Sequence, residues 1–224
     1  MTDASHRPAD RPAAPFRVPP LYPIIDVDLC VLHGLDPLVV ARGCLHGGAR
    51  LLQVRQKGGR GGSAALLALV RSVIASAAPF DAAVIVNDRA DLAAMSGATG
   101  VHVGQADLPL AAVRTIVGAR AILGVSTHTL EQIDEALEGT ADYVAVGPIF
   151  RTSTKDTGYE PRGLEIVRYA AGRGKPVVAI GGVTAANAPA VLAAGASSVA
   201  VISELLSDAE PEDRIRQLLR SLER

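Results

Sequence analysis

The chain has 224 residues, 49% of them hydrophobic, enough to bury a full core as one large domain or two small ones. A formal net charge of −1 supplies no electrostatic footprint for nucleic acid or for an anionic membrane. With 3% aromatic residues and no Trp, a base-stacking platform is not expected either.

Residues 1–20, MTDASHRPADRPAAPFRVPP, are rich in Pro, Ala and charge, and they are expected to form a disordered tail without a core. They lack the apolar stretch of a signal peptide, and no later apolar run is expected to reach the roughly 18 residues of a bilayer span. From residue 21 to 224 one unit recurs: a short β-branched strand, a polar loop, then an Ala/Leu-rich helix. Strands are predicted over 21–26, 51–55, 83–87, 100–103, 121–126, 143–147, 177–181 and 198–202. Helices are predicted over 37–47, 63–78, 89–96, 110–117, 130–137, 164–171, 185–194 and 212–222. Cys30 and Cys44 lie in or beside apolar runs and form no metal-ligand cluster, so a reduced, cytoplasmic setting is expected. Alternating strands and helices imply a parallel sheet with right-handed crossovers. Eight units in about 200 residues predict an α/β fold, a single (β/α)8 TIM barrel, with a doubly wound open sheet as the alternative. No strand leads into a G-x-G-x-x-G or G-x-x-x-x-G-K-[ST] turn, which argues against the open sheet.

A barrel places its chemistry at the C-terminal ends of its strands. The polar residues collect there, whereas the opposite ends are mostly plain turns such as GGAR and EGTAD. In VIVNDRADLAAMSGATGVHVGQADLP, residues 84–109, Asp88 and Asp107 stand 19 positions apart across one helix crossover. On neighbouring parallel strands, about 4.8 Å apart, two such hard oxygen ligands could share one Mg²⁺ together with substrate phosphates. The alternative is that both carboxylates are helix N-caps. Gln53, Arg55 and Lys57 alternate along strand 2 toward one side, a set suited either to a metal-bound polyphosphate or to an internal ion-pair network. The GGRGGS stretch at 58–63 is a flexible cover for the site or a merely permissive connection. Thr152, Ser153, Thr154 and Lys155, in a long loop after strand 6, offer hydroxyls and a cation to phosphate oxygens or form a solvated loop. Gly181-Gly182 and Ile202-Ser203 follow strands 7 and 8, where barrels commonly hold a phosphate on backbone N–H groups. Ser126 and His128 invite a nucleophile–base reading but lack a third member, and His102 reads as a packed, hydrogen-bonded histidine.

The segments QVRQK, VNDRADLA, GVHVGQADLP, ILGVSTHT, ADYVAVGPIFRTSTK, VVAIGGVT and VAVIS, in this order, resemble the thiamine phosphate synthase family from about residue 21 to the C-terminus. The resemblance implies a (β/α)8 transferase joining a pyrimidinylmethyl diphosphate to a hydroxyethylthiazole phosphate, with release of pyrophosphate. It implies that Asp88 and Asp107 hold Mg²⁺, and that Gln53, Arg55, Lys57, Asn87 and Lys155 bind the pyrimidine diphosphate. Ser126 would contact pyrophosphate, and Thr152, Thr154, Gly182, Ile202 and Ser203 would bind the thiazole phosphate. Ser126, Lys155 and Arg55 would then be the residues closest to the chemistry. One departure is Gln56, where the family usually has Glu; it would alternate away from the mouth. A thiazole tautomerase, a similar barrel relying on a histidine after strand 5, and a non-catalytic thiamine-phosphate-binding barrel are the competing readings. The expected partners are small-molecule substrates, with neither nucleic acid nor membrane, and a homo-oligomer is left open.

Overall fold

The computed structural model describes residues 16–59, 61–152, 158–206 and 210–223. Its strands are β1 (Leu21–Asp26), β2 (Leu51–Arg55), β3 (Ala83–Asn87), β4 (Gly100–Val103), β5 (Ile122–Thr127), β6 (Tyr143–Val146), β7 (Val177–Ile180) and β8 (Ser198–Val201). Each pairs in parallel with the next, and β8 pairs with β1, so the sheet closes into the predicted barrel. Around it lie α1 (Val27–Leu32), α2 (Pro37–His46), α3 (Gly62–Ala77), α4 (Ala90–Ser96), α5 (Leu110–Val117), α6 (Leu130–Glu138), α7 (Glu165–Ala170), α8 (Ala188–Ala193) and α9 (Pro211–Leu222).

The strands read as unbroken apolar runs because both of their faces are buried. One set of alternate residues, including Leu52, Val54, Val84, Val86 and Val101, packs under the helices. The other set, including Tyr22, Ile24, Leu51, Ile85, Tyr143 and Ala200, fills the lumen. Register then stacks the lumen in layers: Gln53 is level with Ile85, Asp26 with Arg55, and Asn87 with His102. Gly124 is required by this packing, since a Cβ there would stand 2.1 Å from Cζ of Tyr143. The lumen is therefore polar toward the strand C-termini and closed by apolar side chains at the other end.

Several expectations are corrected. α1 was not predicted, because a six-residue helix of under two turns carries no periodic signal; Asp26 starts it by accepting the Leu29 amide at 3.1 Å. α8 begins three residues later than predicted, at Ala188-Pro189, where proline suits the first turn of a helix. The tail is not free of the core up to residue 20: Val18 is buried, and the ring of Phe16 lies 6.3 Å from that of Tyr143 under the barrel. Gly62–Phe80, at 19 residues and mean hydropathy 1.6, is long and apolar enough to cross a membrane by length and composition, contrary to expectation. It nevertheless buries the stripe Leu66, Val70, Val73 and Ala77, and its outer face owes its apolarity largely to Ala64, Ala65, Ala68 and Ala75. The EGTAD turn is not plain either. Asp142 is buried, accepts the Leu123 amide at 2.9 Å and pairs with Arg114.

Candidate active site

At the mouth, β1 and β2 end in a buried ion pair. Asp26, 2% exposed, takes Arg55 Nη1 on one oxygen while the other caps α1. The next lumen-side residue on the β2 segment, Lys57, forms an ion pair with Asp88. The backbone there is held as well: the Lys57 and Gly58 amides donate to Asp28 at 2.9 and 2.8 Å. Asp28 and Asp26 were missed in the sequence, although Asp26 ends a strand on the same face as Tyr22 and Ile24.

β3 turns sharply at Asp88, whose φ is +61°, with its amide donating to the His102 carbonyl at 2.7 Å. Neither Asp88 nor Asp107 caps a helix, because the N-cap residues of α4 and α5 are Arg89 and Pro109. Instead the two carboxyl groups are near enough to act on each other's protonation. Burial pushes the Asp88 carboxyl up; Lys57 opposes it, and the neighbouring Asp107 carboxyl adds to the rise. Burial also acts upward on Asp107, but the Gly104 amide at 2.7 Å, Asp88 and the charges nearby outweigh it and bring that carboxyl down. Two acids so placed fit a divalent cation, which would offset their mutual repulsion. Among the described residues no group of three or more His, Cys, Asp or Glu forms a cage, so substrate oxygens and water would complete the shell, as suits Mg²⁺. Beside them, Nδ2 of Asn87 is buried without a hydrogen-bond partner, a donor positioned for a ligand.

Below this layer a hydrogen-bonded chain crosses the lumen. Gln53 Nε2 donates to the Tyr22 hydroxyl at 2.9 Å, which lies 3.0 Å from that of Tyr143. Tyr143 reaches His102 Nδ1 at 3.0 Å, and His102 Nε2 lies 2.9 Å from Ser126 Oγ. The histidine bonded to the Ser126 hydroxyl is thus His102; the His128 ring is tied to the Gly147 carbonyl at 2.6 Å and stacks on Tyr159. His102 is packed and hydrogen-bonded as expected. The chain itself was not read from the sequence, because its members come from five strands.

The other side of the mouth carries fewer charges, with Glu204, paired with Arg214 at 3.6 Å, and His128 at the edge of its cavity. A cavity of about 130 Å³ is lined by Ser126, Thr152, Gly182, Ile202 and Ser203, with Gly147, Ile180 and Val183 completing its wall. Gly182 has φ +63°, and a Cβ on it would stand 2.5 Å from the Arg151 carbonyl, so only glycine brings the backbone this close. The loop after β6 continues the β7 ladder, with Ile149 donating to Ile180 and Phe150 to Gly181, each at 3.0 Å. Among the residues singled out, Gln53, Arg55, Lys57, Asn87, Asp88, Asp107 and Ser126 converge on one side of the mouth or just beneath it. Thr152, Gly182, Ile202 and Ser203 share the cavity. Ser153, Thr154 and Lys155 lie outside the described residues, as does Arg60 of the GGRGGS stretch.

Comparison with known proteins agrees with this geometry. The chain is 40% identical over 216 residues to a thiamine-phosphate synthase of Koribacter versatilis, covering 94% of this chain and 99% of that one. It is 43% identical over 183 residues to that of Anaeromyxobacter dehalogenans, covering 81% of each. A thiamine phosphate pyrophosphorylase structure from Pyrococcus furiosus superposes with a TM-score of 0.82 at 30% identity, over 91% of this chain and 95% of that one. Residues 21–205 match the family described as thiamine monophosphate synthase. On this match and these relatives, the chain belongs to the thiamine monophosphate synthase family, a family of transferases.

Proposed function

We propose that this barrel condenses 4-amino-2-methyl-5-pyrimidinylmethyl diphosphate with 4-methyl-5-(2-hydroxyethyl)thiazole phosphate to give thiamine phosphate and pyrophosphate, in a cytoplasmic setting. The observation that carries the reading is the placement of the Asp88–Asp107 pair, with Lys57 on Asp88, across the mouth from a glycine-walled cavity that offers hydroxyls and backbone. Asp88 and Asp107 would hold Mg²⁺, which when bound supplies neutralisation of the departing pyrophosphate. Arg55 and Lys57 add positive charge at the same edge, and the orphaned Asn87 amide and the Ser126 hydroxyl offer donors. The cavity under Gly182 and Ser203 receives the thiazole phosphate and orients its ring nitrogen toward the pyrimidine methylene. Cleavage of the C–O bond to pyrophosphate leaves a pyrimidinylmethyl cation, which the thiazole nitrogen captures. No protein nucleophile is consumed, consistent with a serine whose histidine belongs to the lumen.

The test is release of pyrophosphate from the purified protein given both substrates and Mg²⁺, with an EDTA control. Mg²⁺-dependent release matched by thiamine phosphate is expected. No release from folded protein, with isomerisation of a thiazole precursor instead, would replace this reading with the tautomerase. Undiminished turnover in EDTA would remove the metal.

A further inference from the structure

The hydrogen-bonded chain beneath the site has a direction, and Gln53 sets it. An amide nitrogen can only donate, so Tyr22 accepts from Gln53 Nε2 at 2.9 Å. Tyr22 is 1% exposed, and its own proton has the Tyr143 hydroxyl, 3.0 Å away, as acceptor. Tyr143 is fully buried, and its proton in turn goes to His102 Nδ1 at 3.0 Å. Leaving any of these donors unsatisfied in the lumen would be costly. Burial pushes both phenols up, which keeps their protons in place. Because Nδ1 accepts from Tyr143 it carries no proton of its own, so the ring's proton sits on Nε2 and goes to Ser126 Oγ at 2.9 Å. The hydroxyl proton of Ser126 is then not spent inside the barrel and is left for a ligand at the mouth.

We infer that Gln53, Tyr22, Tyr143 and His102 are a polarised relay that makes Ser126 a hydrogen-bond donor toward an anionic phosphate oxygen. The reverse polarity would have Ser126 donate inward to His102 and offer only lone pairs to an anion. Tyr22, Tyr143 and His102 are thus positioning residues acting through Ser126, and Gln53 fixes their sense from beneath the mouth. This inference rests on the proposed reaction for its anion, whereas the tautomer it requires does not depend on any activity.

The experiment uses full-length protein labelled with ¹⁵N in histidine, with the His102 signals assigned from a His102→Asn variant. The expected result is a proton on Nε2 and an unprotonated Nδ1. A ring protonated on Nδ1, or on both nitrogens, overturns the inference whatever the protein catalyses. Kinetics give the second arm. Tyr143→Phe keeps the ring that Gly124 accommodates but breaks the relay, so kcat should fall about tenfold while both KM values hold within about twofold. In a Ser126→Ala background the same substitution should cost nothing further. An equal loss in both backgrounds would show that Tyr143 does not act through Ser126.

Discussion

On the β1–β4 side of the mouth, charged side chains already face one another: Arg55 meets Asp26, Lys57 meets Asp88, and Asp88 meets Asp107. On the β6–β8 side the wall is Gly147, Gly181, Gly182, Val183 and Ile202, with hydroxyls from Thr152 and Ser203. In the proposed reaction both regions would meet a phosphate group, by different physics. A diphosphate leaving group accumulates charge as its bond breaks, so it is best met by cations that respond to that charge. A phosphate that only anchors a substrate needs positioning, which backbone N–H groups and close glycine contacts supply without further charge. Ion pairing within the first region offsets much of its charge when no ligand is bound; in the second, the carboxylate of Glu204 is paired with Arg214.

The largest effect should come from the acid pair. Asp88→Ala or Asp107→Ala should lower Mg²⁺-dependent turnover by more than about a hundredfold with little change in melting temperature. Near-normal turnover in both would erase the distinction between the two regions. Asp26→Ala comes next. It leaves the Arg55 guanidinium, 12% exposed, without its carboxylate, and should cost about 3–5 kcal/mol in denaturant unfolding. Gly182→Ala should cost about 1–3 kcal/mol and raise KM for the thiazole phosphate while leaving that for the diphosphate alone. Gly172→Ala, at φ +74° but with nothing within 4 Å of the added Cβ, is its control and should leave both KM values unchanged. The effect most remote from catalysis lies at the opposite end of the barrel, with turnover unchanged. A chain starting at residue 19 should be less stable by about 2 kcal/mol than one starting at residue 16, for loss of the packed Phe16 and Val18. Equal denaturation midpoints would show that these residues only lie against the floor.

The barrel was legible because β-branched runs alternate with Ala/Leu-rich helices at nearly constant spacing, and strand starts were found to within a residue. Helix ends drifted where caps and proline decide them, as at α8. In the site, Asp88 and Asp107 stood out because each follows a strand. What stayed hidden was contact between elements far apart in sequence. Nothing local marks Asp26 as the partner of Arg55, or Tyr143 as the link from His102 to Tyr22. The proximity of Ser126 to His128 in sequence pointed to the wrong histidine. Ser126 ends its side of β5 facing the lumen, where His102 of the adjacent strand waits, while His128 has already left the strand and turned to Gly147. The inner end of the tail, from residue 16, was misjudged for a related reason: composition cannot show that Val18 reaches the floor of the barrel.

The division of the mouth is tested most directly by calorimetric titration of the two phosphate ligands separately, each with Mg²⁺ and with EDTA. Thiazole phosphate should bind with the same affinity in both conditions, while pyrophosphate should bind in Mg²⁺ and lose most of its affinity in EDTA. Loss of both ligands in EDTA, or retention of both, would contradict the account of one metal-assisted and one metal-free phosphate region.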